Sequence, residues 1–448
     1  MPLYVLQHWQ LRGMHGTPEL ILSRLGTLFE VLQCMGLLEV KMRALPIRPL
    51  LVVLMRVGFS LCLVLPISAS ASTESVLYSF LGTSDGQYPS SALVRDSQGN
   101  LYGTTEQGGA NGFGTVYELS PNPEGGWTET VIHNFNANGV DGYSPNGGLT
   151  FDAAGNLYGT TEFGGTDVYG IVFELSPTKS GSWTETILHN FTDGDDGGAP
   201  QYGSLIFDKN GNVYGTTQNG GLYGGGVAFE LSQSPEDVWT ETVLYAFAET
   251  IDNGYAPMAV VFDKQGNLYG TTYGGGAYSR GVVFELSLSG GTWSETILHN
   301  FDDGTDGGTP RAGVVFHGSD LYGTTENGGS GALGTVYRLS KTKTGWKEKV
   351  LHNFTGGNDG LAPEGSVVFD KTGHLYSTTY GGGADGAGTV FELEQSKGVW
   401  TETILYNFTG KDDGGWSAYG LILDKAGNLY GAAGGGSTQN GVVFEVTP

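Results

Sequence analysis

Carboxylates are the groups through which this 448-residue chain could do chemistry, and they recur at a fixed spacing instead of forming one constellation. One set reads Asp85-Gly86, Asp141-Gly142, Asp195-Asp196-Gly197, Asp252-Asn253-Gly254, Asp302-Asp303-Gly304-Thr305-Asp306-Gly307, Asn358-Asp359-Gly360 and Asp412-Asp413-Gly414. Oxygen-rich, glycine-loosened loops suit Ca²⁺. The densest run nominates Asp302, Asp303 and Asp306 as metal ligands, with Asp193, Asp195 and Asp196 next. None follows the spacing of a helix-loop-helix calcium loop, so turn formation is the simpler use of any one of them. A second set, Asp96, Asp152, Asp208, Asp263, Asp370 and Asp424, with His317 in the fifth place, stands at tight turns where a carboxylate accepts backbone N–H groups.

Other reactive types repeat in the same way. His133, His189, His299 and His352 share their slot with Tyr78, Tyr245 and Tyr406, which points to aromatic packing rather than imidazole chemistry. Trp127, Trp183, Trp239, Trp293, Trp346 and Trp400 read as packing anchors, and Glu74, Glu129, Glu185, Glu241, Glu295, Glu348 and Glu402 as a solvated face. The glycine-rich loops vary, carrying Phe113, Tyr273 and Asp385 and, as candidates for stacking on a sugar, Phe163, Tyr169, Tyr223, Tyr278 and Tyr380. Nucleophile elbows, zinc-protease helices, phosphate loops and dinucleotide fingerprints are all missing from the sequence. These residues predict a non-catalytic binding or scaffold protein whose partner is a polysaccharide or a protein. The alternative is a glycan lyase or hydrolase with calcium near its centre, because a fold does not fix a function.

The elements that position these residues follow from the repeat itself. The tyrosine of Asn-Leu-Tyr-Gly-Thr-Thr and its variants recurs at 102, 158, 214, 269, 322, 376 and 430, spaced by 56, 56, 55, 53, 54 and 54. A period of 50-odd residues is that of a propeller blade of four strands. In one copy strand A is Ser204 to Phe207, strand B Asn212 to Thr217, strand C Val227 to Leu231 and strand D Trp239 to Phe247. Alternation and turn glycines support each of them. The chain after residue 71 begins with a lone D-type strand, Glu74 to Phe80, and finishes with A, B and C strands only, the last ending at Glu445 to Pro448. The expected fold is therefore all-β: a seven-bladed propeller of four-stranded antiparallel blades, the last completed by the N-terminal strand so that no terminal edge is left unpaired. The D–A and B–C loops then share one face, and the loop carboxylates are expected to ring one end of the channel.

Phrases such as Gly211-Asn212-Val213-Tyr214-Gly215-Thr216-Thr217, Gly388-Thr389-Val390-Phe391-Glu392-Leu393 and Leu351-His352-Asn353-Phe354 resemble the Gloeo-Verruco tandem-repeat family over 74 to 448. The resemblance implies an exported, propeller-like bacterial protein. That family has no settled activity, so it carries over no catalytic residue.

Residues 1–71 differ in kind from the rest. They hold both cysteines, Cys34 and Cys62, and five of the six methionines. Arg56, an apolar run to Ile67 and Ala69-Ser70-Ala71 read as a signal peptide cleaved near Ala71, with residues 1–41 an over-extended start. The expected domains are this leader, 1–71, and the propeller, 72–448, secreted or held in the periplasm or envelope as a monomer, with no membrane insertion after cleavage. Of 21 basic and 46 acidic side chains, residues 72–448 keep 15 and 43, a net charge of about −28 with His neutral. Such a surface repels phosphate backbones and excludes nucleic acid as a partner.

Overall fold

The computed structural model describes residues 72–448 except 249, 251, 252 and 418; the expected leader, its cleavage site and Asp252 lie outside the described residues. Seven antiparallel sheets follow one another with strands in the order A-B-C-D. In the second blade these are Thr150–Phe151, Leu157–Thr161, Ile171–Pro177 and Trp183–Asn190. Strand A is shorter than alternation suggested, Ile206–Phe207 in the third blade, while strand C there extends over Gly224–Gln233. The first blade carries an additional short strand, Gln87–Pro89, beside strand B.

Each element has a local cause. Strand B is buried along its whole length in Leu157–Thr161. A Cβ on its glycine, Gly159, would lie 2.6 Å from Phe173 Cζ of strand C, so no larger residue fits without displacing that ring. At the A–B corner Asp96 Oδ1 accepts the N–H groups of Gln98, Gly99 and Asn100 at 2.8–2.9 Å, the turn role expected for this set. Strand D contains a bulge: Val172 pairs with His189 and Phe173 with Ile187, leaving Leu188 without a partner. A bulge re-aims the side chains after it. Here Leu188 enters the core while His189 turns toward Asp196 in the D–A loop that follows its own strand.

The core is divided among the blade boundaries. Seven hydrophobic clusters each join two neighbouring blades. One places Tyr102, Val116 and Phe135 against Leu149, Leu157, Ile171 and Phe173. Phe135 meets Phe173 edge-on at 5.3 Å, and Tyr102 meets Phe151 at 5.2 Å and Trp183 at 6.2 Å. The ring closes as the half-blades required. Thr73–Ser79 pairs with Val442–Thr447, from Thr73 opposite Thr447 to Ser79 opposite Val442. Phe80, fully buried, then packs on Tyr117 of the first blade at 5.0 Å.

Candidate functional site

The loop aspartates turn outward, which overturns the expected carboxylate ring at the channel. Asp85, Asp196, Asp306, Asp359 and Asp413 are each bonded to the histidine or tyrosine of their own outer strand. Tyr78 donates to Asp85 at 3.0 Å and Tyr406 to Asp413 at 2.8 Å, and His299 and His352 lie 2.8 Å from Asp306 and Asp359. The same carboxylates accept the backbone N–H groups of the turn, as Asp413 does from Thr409 at 2.8 Å. The histidines also pack as expected, His189 edge-on to Phe191 at 4.7 Å.

A glutamate from strand D of the following blade completes each group. Tyr245 donates to Glu295 at 3.1 Å, and Glu402 lies 3.7 Å from His352. These glutamates do not form a solvated face, since Glu185 and Glu402 have side chains only 17% and 12% exposed. The signal was present in the alternation: Glu185 is in phase with Trp183 and Ile187, both of which pack on the neighbouring blade. Burial pushes Glu74, Glu129, Glu185, Glu241, Glu295 and Glu348 up to about 7. Burial and the adjoining Asp359 push Glu402 up to about 9. In all seven, Oε1 is buried without a hydrogen-bond partner.

The residues nominated for calcium are engaged in turns. Asp302 accepts from Gly304 N at 2.6 Å and donates its own N–H to Asp306 at 3.2 Å. Asp303, at a φ of 61°, pairs with Arg280 at 3.2 Å. Asp196 accepts from Thr192, and Asp193, at a φ of 58°, starts the turn closed by Gly197. Asp195 belongs to the same turn. Among the nominated aromatics, Tyr380 lines the channel mouth. Tyr169, Tyr223 and Tyr278 stand exposed on outer parts of the B–C loops, and Phe163 stacks on Tyr143 at 5.6 Å.

The repeat is broken at the mouth of the channel. Two positions vary there: the residue after the Thr-Thr of strand B, and the residues between the D–A loop and strand A. They bring together Glu106, Glu162, Glu326, Tyr273 and Tyr380 with Asn146, Tyr202, Arg311, Glu364 and Tyr419. Two adjoining cavities of about 210 and 200 Å³ share Tyr202, Arg311, Glu364 and Tyr419, and small residues in or just before strand A, such as Ala92, Gly148 and Ala259, line the first. Arg311 Nε bonds Glu326 at 2.6 Å, reaches Glu364 at 3.9 Å and lies over the Tyr273 ring at 5.3 Å. Asn146 and Gln201 both donate to Glu162, at 2.6 and 3.3 Å. Burial lifts Glu364 to about 7 against the pull of Arg311. Burial also raises the phenols of Tyr202 and Tyr419, beside these carboxylates. Tyr202 holds a φ of 60°. It occupies a segment between Pro200 and Leu205 that is one residue longer than Pro145 to Leu149. Tyr202, Arg311, Glu364 and Tyr419 escaped the sequence reading, although the failure of the repeat at these positions was the available signal.

Seven blades of mainly four strands, closed by the pairing of Thr73–Ser79 with Val442–Thr447, with one mouth that departs from the repeat, define a seven-bladed β-propeller. More particularly, the chain belongs to the Gloeobacter/Verrucomicrobia repeat family, which matches residues 63–206 and 201–444. No curated protein matches it. Among solved structures it is similar to a provisionally named 6-phosphogluconolactonase from Bacteroides uniformis, at 14% identity over 70% of this chain and 84% of the other, with a TM-score of 0.46. It is also similar to a calcium structure of Trichoderma reesei carbohydrate-active enzyme family AA12, at 14% identity over 85% and 96% of the two chains, with a TM-score of 0.41. Among the described residues no helix is long and apolar enough to cross a membrane.

Proposed function

We propose that this protein is an exported binding propeller that takes a neutral, polyhydroxylated ligand, the end or a bend of a polysaccharide chain, at the channel mouth. The observation that carries this reading is the convergence of non-repeating polar and aromatic side chains from several blades at the mouth. Tyrosine faces at Tyr202, Tyr380 and Tyr419 suit the apolar face of a sugar ring. Glu162, Glu326, Glu364, Asn146 and Arg311 offer acceptors and donors to its hydroxyls. Four glutamates around one arginine disfavour an anionic ligand. A glycan panel followed by calorimetry tests the reading. A hit should weaken at least tenfold in Tyr380→Ala and Glu162→Gln, with unchanged melting and no product released. Affinity indifferent to both substitutions would refute a ligand at the mouth.

A second reading, a propeller glycan lyase or hydrolase, is favoured by Glu364, whose carboxyl is held near neutral pH beside Arg311 as a general acid or base requires. Product release from a bound glycan that stops in Glu364→Gln would establish that reading instead.

A further inference from the structure

Of the six D–A loops that carry an aspartate in the repeated position, one departs from the rest. Asp141 follows the buried Phe135 by six residues, where Asp85, Asp196, Asp306, Asp359 and Asp413 follow their phenylalanines by five. In those five loops both carboxylate oxygens are bonded. Asp196, Asp359 and Asp413 each take the hydroxyl of the threonine that starts the turn, and Asp85 and Asp306 take backbone N–H groups together with Tyr78 and His299. The longer loop begins with Asn136 instead, whose N and Nδ2 both donate to Asp141 Oδ2 at 3.0 and 3.1 Å. Oδ1 of Asp141 is left without a partner, on a side chain only 6% exposed.

Two more orphans lie close to this carboxylate. His133 Nε2 lies 3.5 Å from Asp141 Oδ2 and 3.6 Å from Glu185 Oε1, beyond hydrogen-bonding reach of either. Both His133 Nε2 and Glu185 Oε1 are buried and unpartnered. The imidazole is held edge-on against Phe135 at 4.6 Å. One ligand atom from each of His133, Asp141 and Glu185 lies within 4.8 Å of the other two. Leaving three such polar atoms unsatisfied in one place is costly unless something fills the space between them.

We propose that His133, Asp141 and Glu185 form a site for a divalent transition-metal ion of the zinc class, between the first and second blades. Bonds of about 2.0–2.2 Å to a tetrahedral ion place neighbouring ligand atoms about 3.4 Å apart, close to the 3.5 and 3.6 Å seen around His133. An imidazole in the set selects zinc-like ions over calcium, and the ion's charge balances two carboxylates that cannot otherwise ionise together. Three protein ligands leave a fourth position for water. The His352, Asp359 and Glu402 group, which is similarly close, differs: His352 is already bonded to Asp359 at 2.8 Å, and Thr355 takes the other oxygen. This site is distinct from the channel mouth and does not depend on what binds there.

The test titrates the folded protein with Zn²⁺ by calorimetry and with Co²⁺ by visible absorption. One equivalent of Zn²⁺ should bind, and Co²⁺ should give the absorption of a tetrahedral complex. His133→Tyr should abolish the Co²⁺ signal and weaken Zn²⁺ at least about 100-fold. That substitution is compatible with the fold because Tyr78, Tyr245 and Tyr406 occupy the equivalent slot, and circular dichroism confirms folding. His299→Tyr should leave both signals unchanged. Absence of binding in the parent would mean that Asp141 and Glu185 share a proton instead, and binding that survives His133→Tyr would place the ion elsewhere; either result overturns the proposal.

Discussion

The blade boundaries and the channel mouth are made from the same repeating unit, and selection for packing has treated them in opposite ways. At a boundary, Phe135 against Phe173, Phe191 against Phe229 and Phe354 against Phe391 are one contact used again, with ring centroids 5.3 Å apart in each case. At the mouth the position after Thr-Thr is Glu106, Glu162, Gln218, Tyr273, Glu326 or Tyr380, and the side chains bond differently: Glu162 accepts from Asn146, Gln218 donates to Met258 and Glu326 accepts from Arg311. Repetition marks what the ring needs to stand, because every boundary must present the same complementary surface for seven blades to close. Its failure marks what the ring was free to vary. The contrast can be broken by perturbations that act on one region and not the other.

The largest effect should come from opening the ring. Deleting residues 72–80 removes the whole strand opposite Val442–Thr447 and takes the buried Phe80 and the partly buried Leu77 out of the closing cluster. Loss of Phe80 alone is worth about 3–5 kcal/mol. The exposed edge of Val442–Val446 is also a template for pairing with another chain. The truncated protein should unfold at much lower urea and associate in sedimentation experiments. A monomer with the parent's midpoint would show that the closing boundary is not equivalent to the other six.

Acidity should weigh next, and chiefly on the boundaries, since Glu162 and Glu364 at the mouth are raised in the same way but are fewer. Seven interface glutamates have folded pKa values above the ordinary carboxylate value, near 7 for six and near 9 for Glu402. Their folded state holds protons that the unfolded chain has released, so their contribution is complete below about pH 4.5 and is lost as pH rises through 7. His189 and His299 act the other way: burial lowers both, His299 to about 4, and their contribution fades as pH falls from about 6.5. Seven carboxyls outnumber two imidazoles, and each excess proton contributes about 1.4 kcal/mol per pH unit. The urea midpoint should therefore fall between pH 5 and pH 8, and Glu402→Gln should flatten the alkaline part of that fall. A midpoint that climbs over this range would mean that the boundaries tolerate ionised pairs.

The repeat made the architecture legible because four strands, two tight turns and a complementary pair of ends each leave a periodic trace. The repeat alone places Gly159 in strand B and Asp96 in the A–B turn. The glutamates of strand D were legible in principle, through their phase with Trp183 and Ile187, but their polarity concealed a buried role. Other features leave no local trace. The bulge at Leu188 is set by how strand C pairs with strand D. The approach of Glu185 to Asp141 depends on the angle between two blades, and the meeting of Tyr202, Arg311, Glu364 and Tyr419 depends on closure of the entire ring. Periodicity reports what each unit does and is silent about where the odd residues of several units converge.

The smallest effect on stability, and the sharpest on function, should come from Tyr202. Its φ of 60° is one that a tyrosine adopts at a cost of order 1–3 kcal/mol, and the residue is 42% exposed, so little packing returns that cost. Glycine adopts the same backbone without strain but gives the unfolded chain more freedom. The two effects oppose each other, and Tyr202→Gly should leave the urea midpoint unchanged or raise the stability by up to about 1 kcal/mol. The same substitution removes a ring that lines the mouth together with Arg311 and Glu364, so glycan affinity should fall at least tenfold in calorimetry. Strain retained where it does not stabilise the fold is the pattern of a site shaped for a ligand. A loss of 2 kcal/mol or more on substitution would instead make Tyr202 a packing residue, and the mouth would then differ from the boundaries in sequence but not in purpose.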